Sequence, residues 1–247
     1  MSLDYRDFHY TGVQAVVFTS VVQNPSSRIL AVMLERWQDL FDADPLVLPV
    51  EQVGNMAMVL LKSRDSRYLV EIINNQFRFT RSRIAADDTI DVSEFVLLAH
   101  SVIETFINAA AATTNRVALL VTRMVIEEKP GIVLSRYFCK DQLVSGPLKR
   151  PENFELHAHK TYELLGAGQI NSWVRCKTAM LQVPSDTTPV MNTQPVIVIE
   201  QDINTLAEVA ATTELSILQI HQFYEAATVE MDSIVQLYFP GGHDNEQ

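Results

Sequence analysis

The stretch DVSEFVLLAHSVIETFINAAAATTNRVALLVTRMV, residues 91–125, decides how the chain is read. Phe95, Leu98, Ala99, Val102, Ile103, Phe106 and Ala110 recur at helical spacing and make a wide apolar stripe. Glu94, Ser101, Glu104 and Asn108 lie mostly off it. The spacing predicts a buried helix over residues 92–112, with Ser93 as its cap. Thr113, Thr114 and Asn115 then turn the chain, and the valine- and leucine-rich run 116–125 reads as a strand. His100 sits at the edge of the apolar stripe, where a hydrogen-bonded, partly buried histidine is expected rather than a metal ligand.

Outward from this stretch, both flanks follow one order. Before it comes a β-branched strand, residues 13–22, then turn and cap chemistry at Asn24, Pro25 and Ser26. A helix is predicted over 26–41, with Ile29, Val32, Met33, Trp37, Leu40 and Phe41 on one side and Arg28, Glu35, Arg36 and Asp39 on the other. Residues 46–83 switch to strand period. Strands at 56–62 and 68–73 flank a polar tip, Asn74 and Asn75 turn again, and FRFTRSR (77–83) continues as a third strand. After the central stretch come Lys129, Pro130 and Gly131 as breakers and a short helix in 132–143. A hairpin of residues 154–165 and 170–183 follows, then a polar loop over 184–192 and a strand at 195–200. A long amphipathic helix over 212–239 closes the chain before Pro240, Gly241 and Gly242 and a frayed tail. At about 1.5 Å per residue that last helix would run roughly 42 Å.

These elements define an α+β chain, with antiparallel sheets packed against long helices and two β-α-β-β-β-α halves. The halves divide as residues 1–114 and 115–247, either as two units or as one compact domain. A chain of 247 residues suffices for either.

Charge is divided unevenly. The net charge is −11, yet all 19 Lys and Arg lie at or before Lys177, and residues 178–247 carry ten acidic side chains and no Lys or Arg. Such an end block repels nucleic acid and suits a basic surface. The one basic patch is residues 62–83, with Lys62, Arg64, Arg67, Arg78, Arg81 and Arg83 against Asp65 and Glu71. On the strand Phe77, Phe79, Arg81 and Arg83 share one face, while Arg78, Thr80 and Ser82 share the other. This patch is a candidate for nucleic acid, rings on bases and arginines on phosphates. The favoured reading is a dock, within the chain or between subunits, for the acidic last helix and its Glu225, Glu230 and Asp232.

Signatures of chemistry are missing. Eight glycines form no phosphate-cradling loop, and there is no Gly-x-Ser-x-Gly elbow. Cys139 and Cys176 are expected to be free, buried thiols of a reducing cytoplasm. Carboxylates fall in pairs at Asp87 and Asp88, Glu127 and Glu128, and Glu200 and Asp202, with no partner placed to make acid–base roles of them. His157 and His159 point to one side of a strand, as two metal ligands must, but no third ligand is nominated nearby. No cofactor is expected. No apolar run reads as a membrane span, and the charged N-terminus does not read as a signal peptide.

Residues 60–79 (LLKSRDSRYLVEIINNQFRF), the helix at 92–112 and the strand NRVALLVTRMV (115–125) resemble a sporadically distributed family of uncharacterised bacterial proteins of comparable length. The likeness rests on an Arg-led central strand after a long helix and on a tryptophan in the first helix, here Trp37. That family's strand continues Gly-Leu-Arg-Tyr, where this chain has Ala118, Leu119, Leu120 and Val121, so no role for a second arginine carries over. The resemblance implies the order of elements and no activity. The expectation is therefore a non-enzymatic, cytoplasmic bacterial protein that works by protein–protein contact, as a homo-oligomer or a subunit of an assembly. A small-ligand binder, with a helix gripped by a curved sheet, and a nucleic-acid binder acting through residues 62–83 are the alternatives.

Overall fold

Both halves contribute to a single sheet. In the computed structural model, nine antiparallel strands join in the order β2-β3-β4-β5-β1-β6-β9-β8-β7. The structure describes residues 3–19, 27–48, 58–73, 75–184 and 191–240. The turn expected at Asn24, Pro25 and Ser26, Asn74, most of the polar loop at 184–192 and the tail after Pro240 lie outside them.

The first half runs β1 (His9–Thr19), α1 (Ser27–Trp37), β2 (Leu46–Leu48), β3 (Met58–Lys62), β4 (Tyr68–Ile73), β5 (Gln76–Ser82) and α2 (Val92–Ala110). The second runs β6 (Thr114–Ile126), α3 (Pro130–Phe138), α4 (Asp141–Ser145), β7 (Glu155–Leu164), β8 (Gly168–Pro184), β9 (Met191–Thr205) and α5 (Ile217–Tyr238). Strands β1 and β6 pair antiparallel at the centre, so the expected plural sheets are one. Each half lays its strands outward from that seam.

Local chemistry explains the ends. Helix α2 is capped by the Asp91 carboxylate, which accepts from the Glu94 backbone N–H at 3.0 Å, rather than by Ser93. It closes on Ala111 in the left-handed region. Helix α5 starts later than expected, at a capping box in which Ser216 and Gln219 satisfy each other's backbone N–H groups. It spans 22 residues, roughly 33 Å. Strand β9 is longer than the 195–200 core of its sequence pattern, because residues 201–205 stay paired to β6 and β8. Gly131 lets α3 approach the chain after α4, since a Cβ there would stand 2.3 Å from the Pro151 carbonyl oxygen.

The alternation of β-structure sorts side chains onto two faces. One transverse row, Val70, Phe79, Ala15, Leu119 and Ile203, is fully buried. Helices cover this side. Phe106 of α2 stacks on Phe77 at 4.4 Å and Phe95 on Phe79 at 5.1 Å. From α5, Tyr224 donates its hydroxyl to the Val16 carbonyl at 2.9 Å. Ile29 and Met33 of α1 enter the same core, and Leu134 of α3 packs with Val174, Cys176, Ile197 and Ile199. Helix α2 is long and apolar enough to cross a membrane by composition, contrary to the sequence reading. Here it is a core helix with its stripe turned to the sheet.

Between α2 and α5 the rings of His100 and His221 stack at 3.6 Å. Both Nε2 atoms are buried without a hydrogen-bond partner. Burial, reinforced by His221, pulls the His100 pKa down to about 4. The folded protein thus holds a neutral imidazole that the unfolded chain protonates near pH 6.5. Stability is expected to fall as pH drops from about 6.5 towards 4, and His100→Leu should lose less stability over that window. Denaturant unfolding at pH 7 and pH 5 checks this; equal pH slopes for the two proteins would refute it.

Candidate partner-binding face

Among the described residues, the other side of the sheet carries none of the four longer helices. Its side chains follow from the register. Lys62, Leu69, Thr80, Gln14, Leu120, Asp202, Trp173 and His159 succeed one another as cross-strand neighbours across eight strands. None of these eight is buried. A sheet with one covered face and one open face is what antiparallel pairing permits. What distinguishes this open face is its apolar share: Phe18, Leu60, Leu69, Leu120 and Met124 are half-buried, and Trp173 is 36% exposed.

Polar groups on the second half of the face form a connected net. Arg116 lies over the Phe18 ring at 4.7 Å and donates to the Thr205 carbonyl at 3.0 Å and to Asn204 Oδ1 at 2.9 Å. Asn204 Nδ2 in turn donates to Asp202 at 2.9 Å. Asn171 Oδ1 accepts from the Thr161 hydroxyl at 3.0 Å and lies 3.2 Å from His159 Nε2. Glu155, Arg175, Glu200 and Lys177 make a ladder of ion pairs across β7, β8 and β9. Asp202 stands apart from that ladder: burial pushes its pKa above the ordinary carboxylate range, opposed by the Asn204 hydrogen bond and the Arg116 charge.

The residues nominated from sequence divide between the faces. Lys62 and Arg78 belong to the open face, Arg78 folded back on Gln76 at 2.7 Å. Arg64 and Arg67 sit at the hairpin tip beside Asp42 and Asp65. Arg83 donates to the Ala85 and Ala86 carbonyls. Arg81 is buried against Asp88, with its guanidinium 2.6 and 3.0 Å from the two carboxylate oxygens. Phe77 and Phe79 are fully buried beneath α2, so the rings required for base stacking are inside the core. Strand alternation, which placed rings and arginines on one face, also placed that face inward.

Within the chain, the acidic helix packs elsewhere than on the basic strands. Asp232 pairs with Arg123 of β6, which is itself 4.4 Å from the Tyr10 ring, and Tyr10 donates its hydroxyl to Asp232. Glu230 accepts from the Tyr162 hydroxyl, and Glu225 is exposed. The histidine pair serves an aromatic cluster: His159 stacks on Trp173 at 3.8 Å and His157 lies at 5.0 Å from the same ring. Among the described residues no group of three His, Cys, Asp or Glu is placed to hold a metal. Cys176 is buried with its thiol pKa pushed up to about 12 by desolvation, and Cys139 is partly exposed.

A cleft of ≈ 630 Å³ between α1 and α2 is open to solvent and lined in part by Arg28, Glu35, Arg36 and Asn108. The residues that sequence reading passed over are Trp173, Arg116, Asn171 and Asn204. Their signal was the shared parity of β6, β8 and β9, legible only once the register was known. In comparison with known proteins, the chain matches no family model and no curated protein.

Proposed function

We propose that the protein works by binding a protein partner, a second copy or another subunit, across the uncovered face of its nine-stranded sheet. The observation that supports this is the one-sided layering: four helices cover one face, while the other offers a broad surface with Leu69, Leu120, Met124 and Trp173 among polar groups. A sheet in a folded domain is ordinarily completed by a second layer or by solvent-facing polar residues, and this apolar share fits the former. Such a partner would lie across many strands. No catalytic role is assigned to any residue.

Leu120, at the middle of the open row, is the position to test. Leu120→Arg is expected to abolish association seen by size-exclusion chromatography with light scattering, and to leave the melting temperature nearly unchanged. Glu225→Arg, on the outer side of α5, should leave association intact. A strictly monomeric wild type that retains no partner from its host, or association indifferent to Leu120→Arg, would overturn the proposal.

A further inference from the structure

The carboxylate of Asp202 lies on the open face, next to Trp173 across the β8–β9 pair and next to Leu120 across the β6–β9 pair. Directly opposed residues in an antiparallel ladder have Cβ atoms about 4.5–5.5 Å apart. One incoming side chain therefore reaches both the carboxylate and the indole.

Asp202 differs from the acids around it. Glu155 and Glu200 are neutralised by Arg175 and Lys177. Asp202 has no cation within ion-pair distance among the described residues, and Asn204 is its one side-chain donor there. Arg116, whose charge is felt at Asp202, directs two of its N–H groups to the Thr205 carbonyl and to Asn204 Oδ1 and lies over Phe18, and it makes no ion pair with the carboxylate. A carboxylate partly withdrawn from water without a counter-ion is destabilised, and a cation brought to it recovers that loss. Burial raises its pKa, and the Asn204 hydrogen bond and the Arg116 charge offset that only in part.

Trp173 supplies the second half of a receptor. It is 36% exposed, and the stack with His159 at 3.8 Å and 17° fixes its plane. Indole is the strongest of the aromatic platforms for a cation. A planar guanidinium combines stacking on an aromatic face with forked hydrogen bonding to a carboxylate, which an ammonium cannot do. The partner's overall charge is constrained as well, since a chain of net charge −11 favours encounter with a basic one.

We propose that Asp202 and Trp173 form a receptor for an arginine side chain of a protein partner, its guanidinium paired with the carboxylate and laid over the indole. This rests on the open face being the binding surface, and it names the chemistry recognised there.

The test is a titration of the full chain with a short capped peptide, Gly-Arg-Gly-Arg-Gly, followed by NMR shifts of the Trp173 indole N–H and of the backbone amides of β8 and β9, the latter serving also for variants that lack the indole. The same peptide with citrulline, and with lysine, supplies the comparison. Saturable binding of the arginine peptide is expected, at least tenfold weaker for the lysine peptide and undetectable for the citrulline peptide. Asp202→Asn, which retains an acceptor for Asn204, and Trp173→Ala should each weaken it tenfold or more with unchanged circular dichroism. Equal binding of arginine and citrulline peptides, affinity within twofold in Asp202→Asn, or no binding at millimolar peptide would overturn the receptor. The Leu120→Arg association experiment separates the two ideas. If Leu120→Arg abolishes association while Asp202→Asn leaves it intact, the face stands and the arginine receptor falls. If Leu120→Arg has no effect, the face itself is wrong.

Discussion

Asp88→Asn is expected to destabilise the protein by about 3–5 kcal/mol, the usual cost of stranding one member of a buried ion pair. Both Arg81 and Asp88 are buried, and two hydrogen bonds join them. Asp88 also accepts from the Ile84 backbone N–H at 3.1 Å, so it ties the end of β5 to the segment leading into α2. Asparagine keeps the shape but leaves a buried guanidinium without its charge partner. At roughly 2–4 °C per kcal/mol for a chain of this size, the melting temperature should drop by on the order of 10 °C. Replacing both partners, as Arg81→Met with Asp88→Leu, should restore much of the loss, because an apolar pair carries no desolvation cost.

The same pair predicts a pH signature. The Arg81 guanidinium holds the Asp88 carboxyl below its ordinary range. A depressed carboxyl contributes stability that is present above the pKa of the unfolded chain, about 4, and is lost as pH falls through the lower folded value. The stability gap between wild type and Asp88→Asn should therefore narrow below about pH 4. A gap that stays constant down to pH 2 would show that the pair is not the source.

The second large effect is expected at Tyr224. Its ring is fully buried in the shared core, and its hydroxyl reaches the Val16 carbonyl. Tyr224 belongs to α5 of the second half, and Val16 to β1 of the first. Tyr224→Ala should cost about 3–5 kcal/mol, as large aromatic truncations in cores do. Tyr224→Phe, which removes one hydrogen bond, should cost about 0.5–1.5 kcal/mol. Urea unfolding gives both values and decides the domain question too. One transition in each variant would mean that the halves unfold together; two transitions in Tyr224→Ala would mean two separable units.

Much of the architecture was legible in the sequence because hydrophobic period changes cleanly along it. The stripe of α2, the run of β6 and the hairpins of β3–β4 and β7–β8 all announced themselves by spacing. Boundaries failed where competing groups decided: Asp91 displaced Ser93 as cap, and Ser216 with Gln219 started α5 late. The candidate face was far less legible. Its residues lie on separate strands from β3 to β7, and only cross-strand register brings Leu120, Asp202 and Trp173 together. The basic patch misled for a related reason. Arg81 reads as surface by charge, but Asp88, seven residues on, makes its burial tolerable.

The central pairing of β1 with β6 has a consequence for how the chain is made. His9 meets Met124 across that ladder, so the two strands are separated by most of a half's length of chain. Contacts this distant in sequence close slowly. During synthesis the first half emerges with one long side of β1 unpaired, an apolar edge able to template the wrong neighbour. Strand β6 follows α2 immediately and is the next segment to appear. The segment of residues 91–125 thus carries both the central core helix and the strand that closes the nascent edge, and placing them in succession shortens the interval of exposure.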